Sequence, residues 1–509
     1  TAFASEIKAL LGHPECPREL SPDGVGQTLA QWGPHAPVTA FRGIRQLPPA
    51  TWLRLAPGEP PPDPVRYWEI TFSDGAHDRA TGGPADEREA DLADELRHLL
   101  DRSARLRYER ADVPVGVLIS GGLDSSITAR AVQRHAGDSL TAFSIGFGRH
   151  GYDESAYQAR FANELGAQHH HLVARDEEIA AAFPEAVRHA EQPLLRTAAV
   201  PMLILAREIR ARGYKVVVTG EGADELFAGY DLFREVVVRR MLAAGLTDSQ
   251  VCDLIPHLYP WHERSPLSSP AMVRGLLRPE TADHPLASHV RRWSGATLLA
   301  PFAGDRMRVP DPDDLQAAVI RDLPCGFANR SDLSRALYLE ASYLLPDYLL
   351  SAQSDRVLMA SAVEGRFPFL DPDVVSFASS LPHRVRIREL EEKHLLRKAF
   401  GYDLPGFVAA RRKQPYRAPG AQAIARSDWI SDLLAPSSLR SAGLFRGAPV
   451  ARLLDRAREE KPLSTADDQR LVAIASIMLL HQYYVDHRSS SDHNHAVTIH
   501  RPDAIRASR

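Results

Sequence analysis

Apolar positions in the first half of this chain follow two alternating rhythms. Val113 to Ile119, VPVGVLI, carries no polar side chain and reads as a strand buried on both faces. Further short strand-like segments fall at 139–147, 169–173 and 215–219. Between them lie stretches of helical period at 88–107, 125–136, 154–165, 178–191 and 198–212. Strand–helix alternation of this kind predicts an α/β fold, a doubly wound parallel sheet whose ligand sits at the carboxyl ends of the strands. After Gly229 the pattern turns mainly helical. Before about Phe72 it consists of short strand-like pieces, Thr39–Ile44 and Thr51–Leu55, among proline-rich turns, as in part of an antiparallel layered domain. The polar, glycine-bearing stretch 73–87 reads as a linker, 88–487 as the main domain and 488–509 as a flexible polar tail.

Composition narrows the partners. The 509 residues suffice for two or three units, and a net charge of -4 offers no attraction for nucleic acid or an anionic membrane. With no apolar run of membrane-spanning length and three scattered cysteines, Cys16, Cys252 and Cys325, a cytoplasmic protein without disulfides is expected. Arginine carries almost all the positive charge. The lysines are Lys8, Lys215, Lys393, Lys398, Lys413 and Lys461, so a lysine at a motif position stands out.

The first strand stops at Ser120-Gly121-Gly122, and a helix follows. Glycines let the backbone approach an anion, and the helix presents unpaired N–H groups and the positive end of its dipole. The hydroxyls of Ser120, Ser125 and Ser126 add donors. The spacing lacks the lysine of a Walker loop and resembles instead the pyrophosphate loop of ATP pyrophosphatases, which cleave ATP to AMP and pyrophosphate. In that setting Asp124 holds Mg2+, since a carboxylate beside a triphosphate needs a cation between them. The bland alternative is a serine-glycine turn capping a core helix.

A second centre follows the strand at 215–219, where Thr219 to Tyr230 read TGEGADELFAGY. Glu221, Asp224 and Glu225 crowd at the mouth of the same sheet, a repulsive arrangement unless a cation or substrate relieves it. Helix-dipole capping accounts for Asp224 and Glu225 but not for Glu221 between two glycines. His169, His170 and His171 point alternately to opposite faces of a strand and do not chelate together. Arg356 and Arg366 are candidates for phosphate or carboxylate, with structural ion pairs as the alternative.

SGGLDSS, TAFSIGF, GEGADELFAGY, SDRVLMASAVEGRFPFLD and EEKHLLRKAF occur in an order and spacing that resemble the glutamine-hydrolysing asparagine synthetase B family. The resemblance implies a synthetase domain of the ATP-pyrophosphatase type with a helical C-terminal part. It makes residues 1–72 the closing part of an N-terminal-nucleophile glutaminase domain. It assigns Ser120, Gly121, Gly122, Asp124 and Ser125 to pyrophosphate, Leu118, Ile119 and Ile145 to adenine, and Thr219 and Gly220 to the ribose or α-phosphate. Asp124 and Asp224 match the magnesium carboxylates. Glu221 matches a glutamate that forms or consumes the acyl-adenylate, and Lys393 a lysine that neutralises the α-phosphate as pyrophosphate leaves. Arg196 sits where the family contacts substrate and is expected to clamp a carboxylate. ATP and Mg2+ are the implied cofactors, glutamine or ammonia the nitrogen source, and a homodimer is left open.

Two departures shape the expectation. The family's glutaminase nucleophile is an N-terminal cysteine, whereas Thr1 begins a segment resembling the end of that domain; a preceding part is expected in the intact protein. The substrate regions read LLRTAAVPML and ARRKQPYRAP, the first too apolar for aspartate. An amidotransferase of specialised metabolism acting on another carboxylate, small or tethered to a carrier protein, is expected. Asparagine synthetase proper, a β-lactam- or macrolactam-forming ligase, and a non-catalytic nucleotide-binding relative remain alternatives.

Overall fold

The computed structural model describes residues 1–72, 85–148, 154–259, 267–411, 418–459 and 461–486. Most of the expected linker, the expected tail 488–509 and residues 412–417 of ARRKQPYRAP lie outside the described residues. The first segment carries helices α1 (Ile7–Leu11) and α2 (Pro22–Gln31) and two short antiparallel strands, β1 (Thr51–Trp52) and β2 (Val65–Arg66). Thr39–Ile44 is not a strand. Its backbone pairing is confined to one antiparallel bridge, Phe41 with Leu20, and the Thr39 hydroxyl, 3.0 Å from the Phe41 carbonyl oxygen and 2.8 Å from that of Ile44, gives its one proton within the turn.

The main sheet forms where the apolar runs predict it. Helix α3 (Ala85–Glu109) precedes β3 (Val115–Leu118), α4 (Leu123–Ala136), β4 (Thr141–Phe147), α5 (Ser155–Leu165) and β5 (Gln168–Ala174). Then come α6 (Asp176–Ala190), α7 (Ala199–Ala211) and β6 (Val216–Val218). A fifth strand, β7 (Glu364–Arg366), lies in the stretch read as helical; with three residues it shows no period, and only pairing with β6 makes it a strand. All neighbours run parallel in the order β5-β4-β3-β6-β7. The chain winds outward from β3 in one direction and, from β6, in the other.

Alternation along the strands supplies two cores. Val115 and Val117 face α3 and α4 through Leu96, Leu100, Ile127 and Val132, while Leu118 and Val217 face α7 through Leu205 and Ile209. The first segment joins a third buried cluster: Ile7, Leu11, Val25 and Leu29 pack with Phe183 and Val187 of α6 and with the apolar helix Thr465–Tyr484. Beyond β6 the described chain is mainly helical, apart from β7 and a short hairpin, and includes an unusual π-helix, Glu340–Asp355.

Glu191, buried at the end of α6, ties the first segment down by accepting from the amides of Ile7 at 2.9 Å and Lys8 at 2.7 Å. Replacing it with leucine strands two buried donors, and the expected cost is about 1–3 kcal/mol. Denaturant unfolding measures that loss, and amide exchange should accelerate first at Ile7 and Lys8.

Candidate active site

The two glycine-bearing loops leave adjacent strands, β3 and β6, where the winding direction reverses. They touch: a Cβ on Gly220 would lie 2.9 Å from the carbonyl carbon of Asp124, so only glycine lets them approach this closely. Above them opens a cavity of about 1000 Å³. Leu118, Ile119 and Ile145 form one wall, Ser120, Gly122, Asp124 and Ser125 its floor, and Thr219, Gly220, Glu221 and Asp224 the adjoining rim. Gly121 turns away at φ +77° and its carbonyl accepts from Arg411 at 2.7 Å. The loop is held ready by its own hydroxyls: Ser125 Oγ accepts from the Ser120 amide at 3.1 Å and lies 3.0 Å from Ser120 Oγ. Gly122 caps the 14-residue α4, whose N-terminal amides face the floor of the cavity.

Lys393 enters from a region nearly 170 residues beyond Asp224. Strands β8 (Ile387–Arg388) and β9 (Glu391–Glu392) form a hairpin whose two turn residues, Glu389 and Leu390, both have positive φ, the geometry of a type I′ turn. Lys393 follows, itself at φ +56° and 2 % exposed, a conformation disfavoured for a side chain with a Cβ. Its ammonium lies 2.6 and 2.5 Å from the two carboxylate oxygens of Asp124 and 2.6 Å from Oδ1 of Asp224. Gly229 makes room, because a Cβ there would fall 2.0 Å from Asp224 Oδ1 and 2.1 Å from Lys393 Cε. Buried Arg234 fastens the hairpin, donating to the Leu390 carbonyl at 2.7 Å and pairing with Glu392. Arg386, just before β8, donates to the Leu381 carbonyl at 3.2 Å, and burial pushes its guanidinium down to about 9.

Negative charge at the rim is managed by protonation as well as pairing. Burial, then the neighbouring Asp224 charge, pushes Glu225 up to about 8, against a hydrogen bond donated by Tyr230; Glu221 adds to the upward push. Glu225 is therefore largely a neutral acid at pH 7. The Asp124 and Asp224 carboxylates converge on Lys393 Nζ, and their hard oxygen donors are of the kind that would hold a divalent cation such as magnesium. Among the described residues no group of three or more histidine, cysteine or acidic side chains forms a protein-only metal cage.

Arg196 lines the opposite part of the cavity, its guanidinium carbon 4.6 Å from the ring centroid of Trp32. Arg397 and Arg411 also line it; both lie inside stretches singled out in the sequence, EEKHLLRKAF and ARRKQPYRAP, without having been named as site residues, and Arg397 stands four residues after Lys393 on the helix His394–Phe400. Arg356 and Arg366 are structural: Arg356 donates to the Ala190 carbonyl, and Arg366 pairs with Glu364 at 2.8 Å and donates to the Arg107 carbonyl at 2.7 Å. In the histidine run, His169 and His171 share one face and bracket Ser144 Oγ at 2.8 and 2.9 Å, whereas His170 packs near Phe143 on the other. Cys16, Cys252 and Cys325 are free thiols.

The asparagine synthase family profile matches residues 95–482. A Mycobacterium tuberculosis protein named "Putative asparagine synthetase (glutamine-hydrolyzing)" is 31% identical over 498 residues, 96% of this chain and 72% of the relative. Asparagine synthetase (glutamine-hydrolyzing) 1 of Bacillus subtilis is 26% identical, with 96% and 72% covered, and the amidase chyE of Penicillium rubens is 28% identical, with 82% and 64% covered. A solved U34-tRNA thiolase, NcsA of Methanococcus maripaludis, overlaps 42% of this chain and 81% of its own at 14% identity, with a TM-score of 0.21, a likeness too slight to bear on the fold. The profile match takes in both strand-end loops and the hairpin lysine, and by it the chain belongs to the asparagine synthase family and is an ATP-dependent carbon–nitrogen ligase with glutamine as amide donor.

Proposed function

We propose that this protein cleaves ATP to AMP and pyrophosphate, joins the AMP to a substrate carboxylate, and replaces AMP with ammonia drawn from glutamine, the substrate being an acid other than aspartate. The observation that carries the reading is Lys393. A buried ammonium in left-handed backbone, held between two carboxylates at the mouth of a glycine loop, costs stability that a mere scaffold has no cause to spend.

On this reading the sheet is of the ATP-pyrophosphatase type. The α4 amides and the hydroxyls of Ser120 and Ser125 bind the pyrophosphate portion, and Leu118, Ile119 and Ile145 wall the adenine. A phosphate arriving there gives the Lys393 ammonium an anion to share with Asp124 and Asp224, so its charge is available as the bond to pyrophosphate breaks. Asp124 and Asp224 would hold magnesium, which when bound screens the triphosphate charge. Glu221 takes the proton from ammonia as nitrogen attacks the acyl carbon. The first segment is the closing part of a glutaminase domain; the likeness to the mycobacterial relative extends over 96% of the chain and so takes in most of it. The substrate carboxylate is free or borne on a carrier protein. Support for an acid other than aspartate comes from Ala198 and Met202, which bring the apolar stretch LLRTAAVPML to the cavity wall.

Turnover should release AMP and pyrophosphate in equal amounts, measured chromatographically; ADP and orthophosphate would overturn the reading. Lys393→Ala should lose both amide product and exchange of labelled pyrophosphate into ATP. Glu221→Gln should lose amide by about 10²–10⁴-fold yet keep part of the exchange, because it acts after the adenylate forms. Gly229→Ala should displace Asp224 and Lys393 together and lower both readouts by about 10²-fold, with the circular dichroism spectrum unchanged.

A further inference from the structure

The cavity reaches past the nucleotide loops to a wall that the adenylation chemistry leaves unused. One side of it is the π-helix Glu340–Asp355, which presents Glu340, Leu344, Tyr348 and Gln353 to the same space at steps of four to five residues. An α-helix, turning 100° per residue, would carry the last of these to the far side from the first; i→i+5 winding keeps them on one face. Tyr343 and Trp293 also line this end, ring centroids 5.5 Å apart, and Trp32 of the first segment packs tilted on Tyr348 at 5.4 Å. Four aromatic rings from three separate parts of the chain thus surround one end of the cavity.

Two buried acceptors sit among these rings. Glu340 is 1 % exposed; its Oε1 lies 3.3 Å from His289 Nε2 and 3.5 Å from the guanidinium of Arg292, whereas Oε2 is buried with no hydrogen-bond partner. Gln31, the last residue of α2, is 4 % exposed and its Oε1 is likewise unpartnered. Burial lowers the pKa of His289; Arg292, exposed and at the edge of ion-pair distance, also faces Glu340, and the Arg196 guanidinium lies over the ring of Trp32. Buried acceptors without donors are costly; both oxygens are shut off from solvent in this structure, so a ligand that supplies N–H groups removes that cost as their side chains turn into the cavity. Aromatic rings around an anionic group favour a cationic amine through their faces and an aryl body through their area.

Resting on the ligase reading above, we propose that this end of the cavity selects the acyl substrate, and that the substrate is an amine-bearing aromatic carboxylic acid whose amine is received by Glu340 and Gln31 and whose ring lies among Tyr343, Tyr348, Trp293 and Trp32. Aspartate would offer the rings nothing to pack against.

The test uses the full chain with four probes: L-phenylalanine, 3-phenylpropanoate, L-leucine and L-aspartate. Calorimetric titration in the presence of a non-hydrolysable ATP analogue gives affinity, and acid-dependent exchange of labelled pyrophosphate into ATP gives chemistry. L-Phenylalanine should bind about tenfold more tightly than each of the other three. Glu340→Gln should erase its advantage over 3-phenylpropanoate while leaving the affinity of the latter unchanged, and Tyr348→Leu should weaken both aromatic acids. Equal or tighter binding of aspartate, an equal loss of both aromatic acids in Glu340→Gln, or binding of none of the four would overturn the proposal. Exchange supported by aspartate alone would remove this pocket and leave the ligase reading standing. Glu340-dependent binding of L-phenylalanine without exchange from any acid would do the reverse.

Discussion

A single ammonium group holds the active-site half of this molecule together. Lys393 Nζ lies within 2.6 Å of carboxylate oxygens from both Asp124 and Asp224, residues in the first turns of helices that follow different strands. Without that cation the two carboxylates would face each other across a few ångströms at the mouth of an apolar sheet, and their repulsion would part the loops. With it, the loops close until Gly220 touches the backbone of Asp124. Much of the surrounding architecture serves to place this one side chain.

That placement is expensive in local terms. Three non-glycine residues, Glu389, Leu390 and Lys393, take positive φ within five positions, and none would do so in isolation. Arg234 compensates by binding the turn carbonyl and Glu392, and Arg397 adds a second pair to Glu392 at 3.2 Å. A buried carboxylate held by two guanidiniums is a rigid foundation, since removing any partner leaves an uncompensated charge. The ammonium is thus fixed in place by the fold itself, between the two carboxylates.

The same principle of spending polar groups in the interior extends away from the nucleotide loops. Glu225 is kept neutral by burial and by its neighbours, which lowers the number of charges the rim has to balance. Glu340 and Gln31, by contrast, keep unpartnered acceptors in an aromatic setting. The first relieves the site internally; the others leave a demand that a ligand meets. Trp32 and Gln31 come from the segment before β1, so the far wall of the cavity depends on the docking that Glu191 secures through Ile7 and Lys8.

The parallel sheet and the glycine loops were legible in the linear chain because their signals are local. Apolar runs such as VPVGVLI cannot face water on either side, and glycines with acids at strand ends have few packing explanations. Asp124, Glu221, Asp224 and Lys393 could be named from their motifs, and all line one cavity. Strand β7 was not legible, since three residues carry no period and owe their conformation to pairing with β6. Nor was the π-helix, whose face depends on a winding that local propensity disfavours and tertiary packing imposes. Arg397 and Arg411 were not named although they fall within EEKHLLRKAF and ARRKQPYRAP: an arginine in an arginine-rich chain has no signature of its own until folding brings it to a cavity wall or, for Arg411, to the carbonyl of Gly121. Local chemistry, in short range along the backbone, was therefore determined by the sequence itself, whereas the meeting of Lys393 with Asp124 across 269 positions was decided only by the tertiary structure, because opposite charges that distant interact only after the chain has closed around them.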